Sequence, residues 1–460
     1  MTSRDPNHAQ DELVTAITEG SVWHVVWRLS WPTMISLFLS TAQLWINTIF
    51  VGKLGKEAIA AVGLGGNALM VIFSLTIGIT AGGTALVARF TGARSYDEAA
   101  DAAKQAIILS LLSSIVVTMV CMPLAKPVIE WMGARGIVAD LGAVYTVLGV
   151  ISTTPYFLWL VLSAVFRGIG DMRTPLYIAG VVIALNIVGD WVLIFGKGPF
   201  PKLGVPGAAW ALMISRAAGT ALSFWWLLRS TMRRSLAPPW TPRLDWFLRI
   251  ARIGVPAVIQ SLLFSLAFVG FFWALGKLPN VVDAQAALVI GLRAEAIAFM
   301  PGFAFMTAAT SLVGQNLGAQ RLDRAERGAW ICAWQSLAVM SVFTVVYFVL
   351  AEPFSRLFTN DPQVIALSVS YLRINAISEP FLGFAMVFTG AMQGAGDTRD
   401  PTIVAFLTLW IIRLPLTYIA AIVFHGGATA AWIIMSGTTI LRGIIMIGLF
   451  KLGKWKTVQV

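Results

Sequence analysis

The chain runs again and again for about twenty residues without a Lys or Arg, as in LYIAGVVIALNIVGDWVLIFG at 176–196. Twenty residues of α-helix rise about 30 Å, the thickness of a bilayer's hydrocarbon. Hydrocarbon offers no partner to backbone N–H and C=O groups, so only helices or closed barrels can span it. Barrel strands would alternate apolar and polar over about ten residues; these runs are continuous, which is the helical pattern. Composition agrees. The chain is 58% hydrophobic and 12% charged, against about 25% charged in soluble proteins, and its mean hydropathy is +0.79. The fold class expected is an all-α integral membrane protein. Its 18 Trp fit an aromatic belt at the interfaces.

Several classes are excluded by the same reading. Cys121 and Cys332 both lie in apolar runs, so neither a disulfide framework nor a thiolate zinc site is expected. His8, His24 and His425 have no metal-ligand spacing. The net charge of +11 is spread over short loops, which reads as membrane topology and not as a nucleic-acid surface. No GxxxxGK[ST] is present, so ATP is not expected to drive the protein directly. No His/Asp/Glu constellation stands at catalytic spacing, so an enzyme is not expected, and no cofactor. The first 29 residues lack the parts of a cleaved signal peptide, which leaves the first span as its own insertion signal.

Breaks at polar, Gly/Pro or charged stretches mark twelve spans, at 31–51, 61–88, 105–125, 139–165, 176–196, 207–228, 250–275, 285–313, 330–350, 366–393, 402–424 and 427–450. An even number puts both termini on one side. Most Lys and Arg lie in that side's loops, which makes it cytoplasmic, and the membrane the cytoplasmic (inner or plasma) one. The halves repeat. Pro32 precedes FVGKLG as Pro256 precedes ALGKLP; ARFTGARSYDEA at 88–99 matches GQNLGAQRLDRA at 314–325; FRGIGDMRTP at 166–175 matches MQGAGDTRDP at 392–401. Ordered matches at nearly one offset indicate duplication. The chain reads as a cytoplasmic segment (1–29), an N-lobe of six spans (30–229), a basic, Pro-rich linker (230–249), a C-lobe of six spans (250–450) and a cytoplasmic tail (451–460). Two parallel six-helix bundles related by a pseudo-twofold along the membrane normal make a V whose cleft can open to either side. A monomer is expected.

These motifs resemble the multidrug and toxic compound extrusion (MATE) family, within a superfamily that also holds lipid and polysaccharide flippases. The resemblance covers about residues 24–450 and rests on Pro32 with INTIFVGKLG, LVGQNLGAQRLDRA, and the paired RGIGDMRTP and QGAGDTRDP loops. The family's NxxxD in span five appears as Asn186 and Asp190. The resemblance implies an exporter of amphipathic, often cationic compounds, driven by H⁺ or Na⁺ and working by alternating access. It implies helix bends at Pro32 and Pro256. Two positions depart from the pattern. Asn47 stands where many relatives have an Asp in span one, and Phe264 stands where the NorM branch has a Glu in span seven. The chain looks closer to the DinF-like branch.

An acid at membrane depth is expensive and normally faces a polar cavity. Asn186 and Asp190 are four apart, hence on one helix face, and with Asn47 they form the ion-coupling site expected in the N-lobe. A carboxyl secluded from water can hold a proton and release it when water enters. A sodium ion would instead want several oxygens, the Asn186 carbonyl among them. The opposing reading is an Asp that caps the loop GKGPFP. In the second half Glu295 and Glu379, with Gln260, are candidates for an ion or substrate site. Pro380 is expected to break span ten beside Glu379, and Arg413 to partner one of the acids. An organic cation wants apolar walls and few charges; Gln43, Phe264, Met300, Phe303, Met306 and Met386 are the candidates, against plain helix packing. The rival function is a flippase of lipid-linked precursors, which would want a strongly cationic cleft.

Overall fold

The structure is a computed structural model that describes residues 6–458. The first five and last two residues of the expected terminal segments lie outside it, as does the side chain of His8. Every regular element among the described residues is helical. Ten helices are long and apolar enough to cross a membrane, and two further bent pairs bring the spans to twelve.

The first unit comprises residues up to Thr15 and Ile35–Gly254. A short helix, α1 (Pro6–Glu19), precedes α2 (Val22–Gly52), α3 (Lys56–Gly92) and α4 (Tyr96–Trp131). The fourth span is the pair α5 (Ile137–Ile151) and α6 (Thr153–Gly168), bent by 46°. Then come α7 (Arg173–Phe195) and α8 (Val205–Leu228). Helix α3 packs against α4, α5 and α6, and α7 against α8. Residues 230–249, read from sequence as a linker, are built into this unit. A 3₁₀ turn at Thr231–Leu236 buries Met232 and Ser235. The Gln105 side chain donates to the Thr241 carbonyl (2.9 Å) and accepts from the Arg243 N–H (3.0 Å). A buried amide that would otherwise lack partners holds the segment in place.

The second unit comprises Ala16–Met34 and Val255–Val460. It takes most of α9 (Leu244–Leu275), then α10 (Val281–Gly318) and α11 (Leu322–Arg356). The bent pair here is α12 (Pro362–Ala376) and α13 (Glu379–Ala395), at 53°. Helices α14 (Arg399–Val423) and α15 (Gly427–Leu452) complete it. Within α14 the backbone widens to π-helix at Leu407–Arg413 and Ile419–Val423. The core is built on Phe271, Met340, Tyr371 and Trp432. Outward faces in both units expose large apolar side chains such as Met119, Val269 and Val345, as lipid-facing helices do.

Duplication is written into the packing of each unit. Thr84 Oγ1 donates to the Ala164 carbonyl (3.3 Å), and Thr310 Oγ1 to the Gly390 carbonyl (2.9 Å), across the same separation of 80 residues. Asp171 accepts from the Thr174 N–H (3.0 Å) and Asp397 from the Asp400 N–H (3.2 Å), so each GxGD loop caps its following helix. Arg94 and Gln320 hold the same left-handed turn, φ 58° in both. Gly65 lies under the Tyr145 ring as Gly291 lies under Tyr371. The bent spans also match: Ser152 Oγ donates to the Gly149 carbonyl (2.7 Å) and Ser378 Oγ to the Asn375 carbonyl (2.8 Å), one at each break.

Candidate functional site

In the first unit α7 places Asn186 and Asp190 one turn apart, and both are wholly buried. Helix α2 brings two amides to them. Gln43 Nε2 donates to Asn186 Oδ1 at 2.5 Å and Asn47 Nδ2 donates to the same oxygen at 3.2 Å. The two donors use up that carbonyl. Four buried polar atoms remain without a hydrogen bond among the described residues: Asn47 Oδ1, Asn186 Nδ2 and both oxygens of Asp190. Three of the four are oxygens, a donor set suited to a hard cation or to a proton on the acid. The amides therefore bond one another and leave the acid unpaired. Tyr145 lies close enough to feel the charges of both Asp190 and Arg216. Arg216 itself is buried, donates from Nη1 to Ser152 Oγ (2.8 Å) at the bend of the fourth span, and lies over the rings of Phe73 (4.7 Å) and Tyr156 (4.2 Å).

The second unit holds a different centre. Glu295 on α10 lies near Tyr371, whose hydroxyl donates to Met435 Sδ (3.9 Å), and acts electrostatically on Arg413 and Glu379. Glu379 is buried, and its Oε2 has no partner among the described residues. The Tyr347 hydroxyl, which feels both acids, donates to the Ala294 carbonyl at 2.6 Å. The bend beside Glu379 arises where α12 ends, at Ile377–Ser378. Pro380 stands in the first turn of α13, where its missing N–H leaves no bond unmade, so the expected break by Pro380 is corrected to a break before it. Arg413 does not spend its hydrogen bonds on an acid. Its Nε donates to Thr438 Oγ1 (2.8 Å), and Nη2 donates to Thr439 Oγ1 (2.8 Å) and the Met435 carbonyl (3.2 Å). Arg293 is exposed.

The remaining residues singled out from sequence are dispersed. Pro32 lies inside α2 and Pro256 inside α9, where the Pro256 carbonyl accepts from Thr402 Oγ1 (2.9 Å). Gln260 donates to the Pro401 carbonyl (3.1 Å). Phe264 packs with Ala267, Ala405, Leu409 and Trp410. Met300 and Met386 are buried, and Met386 crowds the face of Gly302. Phe303 is exposed and stacks on Phe299, and the Met306 carbonyl abuts Gly390. Tyr145, Tyr347, Tyr371, Ser152 and Ser378 escaped the sequence reading. Laying the two halves over each other residue by residue would have flagged the Gly–Tyr and Ser pairs; nothing in the sequence marks Tyr347.

Two copies of a six-span bundle, each burying carboxyl and guanidinium groups among its helices, define a polytopic helical membrane protein. A family model described as MatE matches residues 32–192 and 256–419. A Thermotoga maritima protein described as a probable multidrug resistance protein NorM is 30% identical over 437 residues, covering 93% of this chain and 92% of that one. A Shewanella oneidensis protein described as an FAD transporter is 25% identical over 429 residues, covering 92% and 93%. Among solved structures, an outward-facing multidrug resistance MATE transporter of the MOP superfamily superposes with a TM-score of 0.88 at 23% identity, covering 97% of this chain and 99% of that one. The chain belongs to the MatE family.

Proposed function

We propose that the protein exports amphipathic, often cationic organic compounds from the cytoplasm in exchange for H⁺ or Na⁺, by alternating access in the cytoplasmic membrane. The observation that carries the reading is Asp190: wholly buried on a helix long and apolar enough to cross a membrane, with both oxygens unpaired and the free Asn47 Oδ1 on the neighbouring helix. An unpaired buried carboxylate is too costly to persist, so the site must take a proton or a cation. Loading and unloading that ion would shift the balance between two arrangements of α2 and α7. Glu295 and Glu379 are a second candidate centre for the coupling ion. In the proposed orientation both termini are cytoplasmic and one chain is the working unit. The DinF-like assignment rests on Asn47 and Phe264 and stays part of this proposal.

The test uses purified protein in liposomes loaded with a fluorescent organic cation. An inward proton gradient or an inward sodium gradient is imposed separately. One of the two should drive dye movement, and Asp190→Asn should abolish the dependence on the gradient. Dye movement indifferent to both gradients would end the antiporter reading. Movement of a lipid-linked precursor in place of the dye would favour the flippase.

A further inference from the structure

Arg442 lies inside the membrane-spanning helix α15, and only 6% of it is exposed. Its side chain makes no hydrogen bond to any described residue, and its Nε is buried without a partner. Its side-chain contact is the face of Phe264, 4.5 Å from the guanidinium carbon. Among the described residues the charged group that acts on it is Arg413, a like charge, and no carboxylate does so. A guanidinium carries five N–H donors and cannot shed its charge. Burying one unpaired beside another cation is among the costliest arrangements a helix bundle can hold.

The two other arginines buried to this degree show what a satisfied one looks like. Arg413 is bonded to Thr438, Thr439 and the Met435 carbonyl, and Glu295 stands near it. Arg216 has Ser152 and two aromatic faces. Only Arg442, of the three, lacks both a hydrogen bond and an acid. We propose that Arg442, with Arg413 beside it and Phe264 against it, is the receptor for an anionic group carried by an amphipathic ligand: a carboxylate, a sulfonate or a phosphate. Such groups match the planar fork of a guanidinium. Phe264 and Trp410, both partly buried, lie over a core of Ala267, Ala405 and Leu409 and are the apolar faces left for the ligand's hydrocarbon or aromatic part. The inference narrows the substrate class of the transport reading and rests on that reading for calling the ligand a substrate. Zwitterions, which pair an anion with an organic cation, are the ligands that satisfy both.

The experiment uses full-length protein in lipid nanodiscs and two rhodamines that differ in one group, a free ring carboxylate or its methyl ester. Binding is followed by fluorescence polarisation. The carboxylate dye should bind about tenfold more tightly, the factor expected of a hydrogen bond to a charged group. Arg442→Met should weaken the carboxylate dye to the level of the ester and leave the ester unchanged, while Arg442→Lys keeps part of the preference. If the wild-type protein shows no preference for the carboxylate, the proposal is overturned however the variants fold. A folded Arg442→Met that retains the preference overturns it as well. The transport reading fails on different grounds: neither gradient drives the ester dye across liposomes, whatever the titrations give.

Discussion

At the scale of single residues, the N-lobe centre separates polarity from charge. Gln43, Asn47 and Asn186 supply dipoles that bond each other, and Asp190 supplies the one titratable group. Asp190→Asn should therefore fold and insert with a thermal unfolding temperature close to wild type, since it replaces an unpaired acid with an uncharged group of equal size. It should lose gradient-driven export in liposomes. Wild-type export by this variant across a pH series would mark the acid as structural. Asn47→Asp puts a second acid beside Asn186. Interacting carboxyls titrate as a pair in two macroscopic steps, so the pH profile of transport should change from one inflection to two. Asp190 and Asn186 stood out in the sequence because an acid inside an apolar run is rare; the rival reading, a cap on the GKGPFP loop, is at odds with a carboxylate whose two oxygens find no partner among the described residues. Their hydrogen bonding was not legible, because spacing along one helix says nothing about which amide on another helix reaches across.

Between elements, closeness is bought with glycine. A Cβ on Gly394 would collide with the Thr310 carbonyl, and one on Gly390 with the Met306 carbonyl, so α13 lies directly on the backbone of α10. Small residues four apart are the usual means of such approach in membranes. Gly394→Val should cost about 1–3 kcal/mol through forced separation, read as a lowered melting temperature in detergent. Gly437→Ala is the contrasting case: nothing lies within 4 Å of the added carbon, and helix propensity should raise the melting temperature slightly. A fall for Gly437→Ala as large as for Gly394→Val would refute the packing account. The span limits were readable because apolar runs end where the chain turns polar. Of the two bends, the one in span ten was expected but misplaced, and the one in span four was not seen. They turn on Ser152 and Ser378, ordinary helix residues in membranes, and a proline two residues past the second break, Pro380, drew attention to the wrong bond.

For the whole molecule, orientation is the property most open to direct measurement. The proposed topology puts Arg94, Arg233 and Arg324 in the cytoplasm and Lys53, Lys202 and Lys277 outside. Single cysteines at these six positions, in a background lacking Cys121 and Cys332, should divide into two groups with an impermeant thiol reagent on intact cells. Labelling of Arg233→Cys from outside would invert the orientation. The copying of one half into two also copied a blemish. Arg94 and Gln320 both sit at φ 58°, a conformation that a side chain disfavours and glycine accepts. Arg94 has something to show for it, a hydrogen bond to Thr15 Oγ1 at 3.2 Å. Gln320 is exposed and has only the turn to hold. A single codon change to glycine at 320 should thus yield a hardier protein that survives longer in detergent, with its transport chemistry untouched.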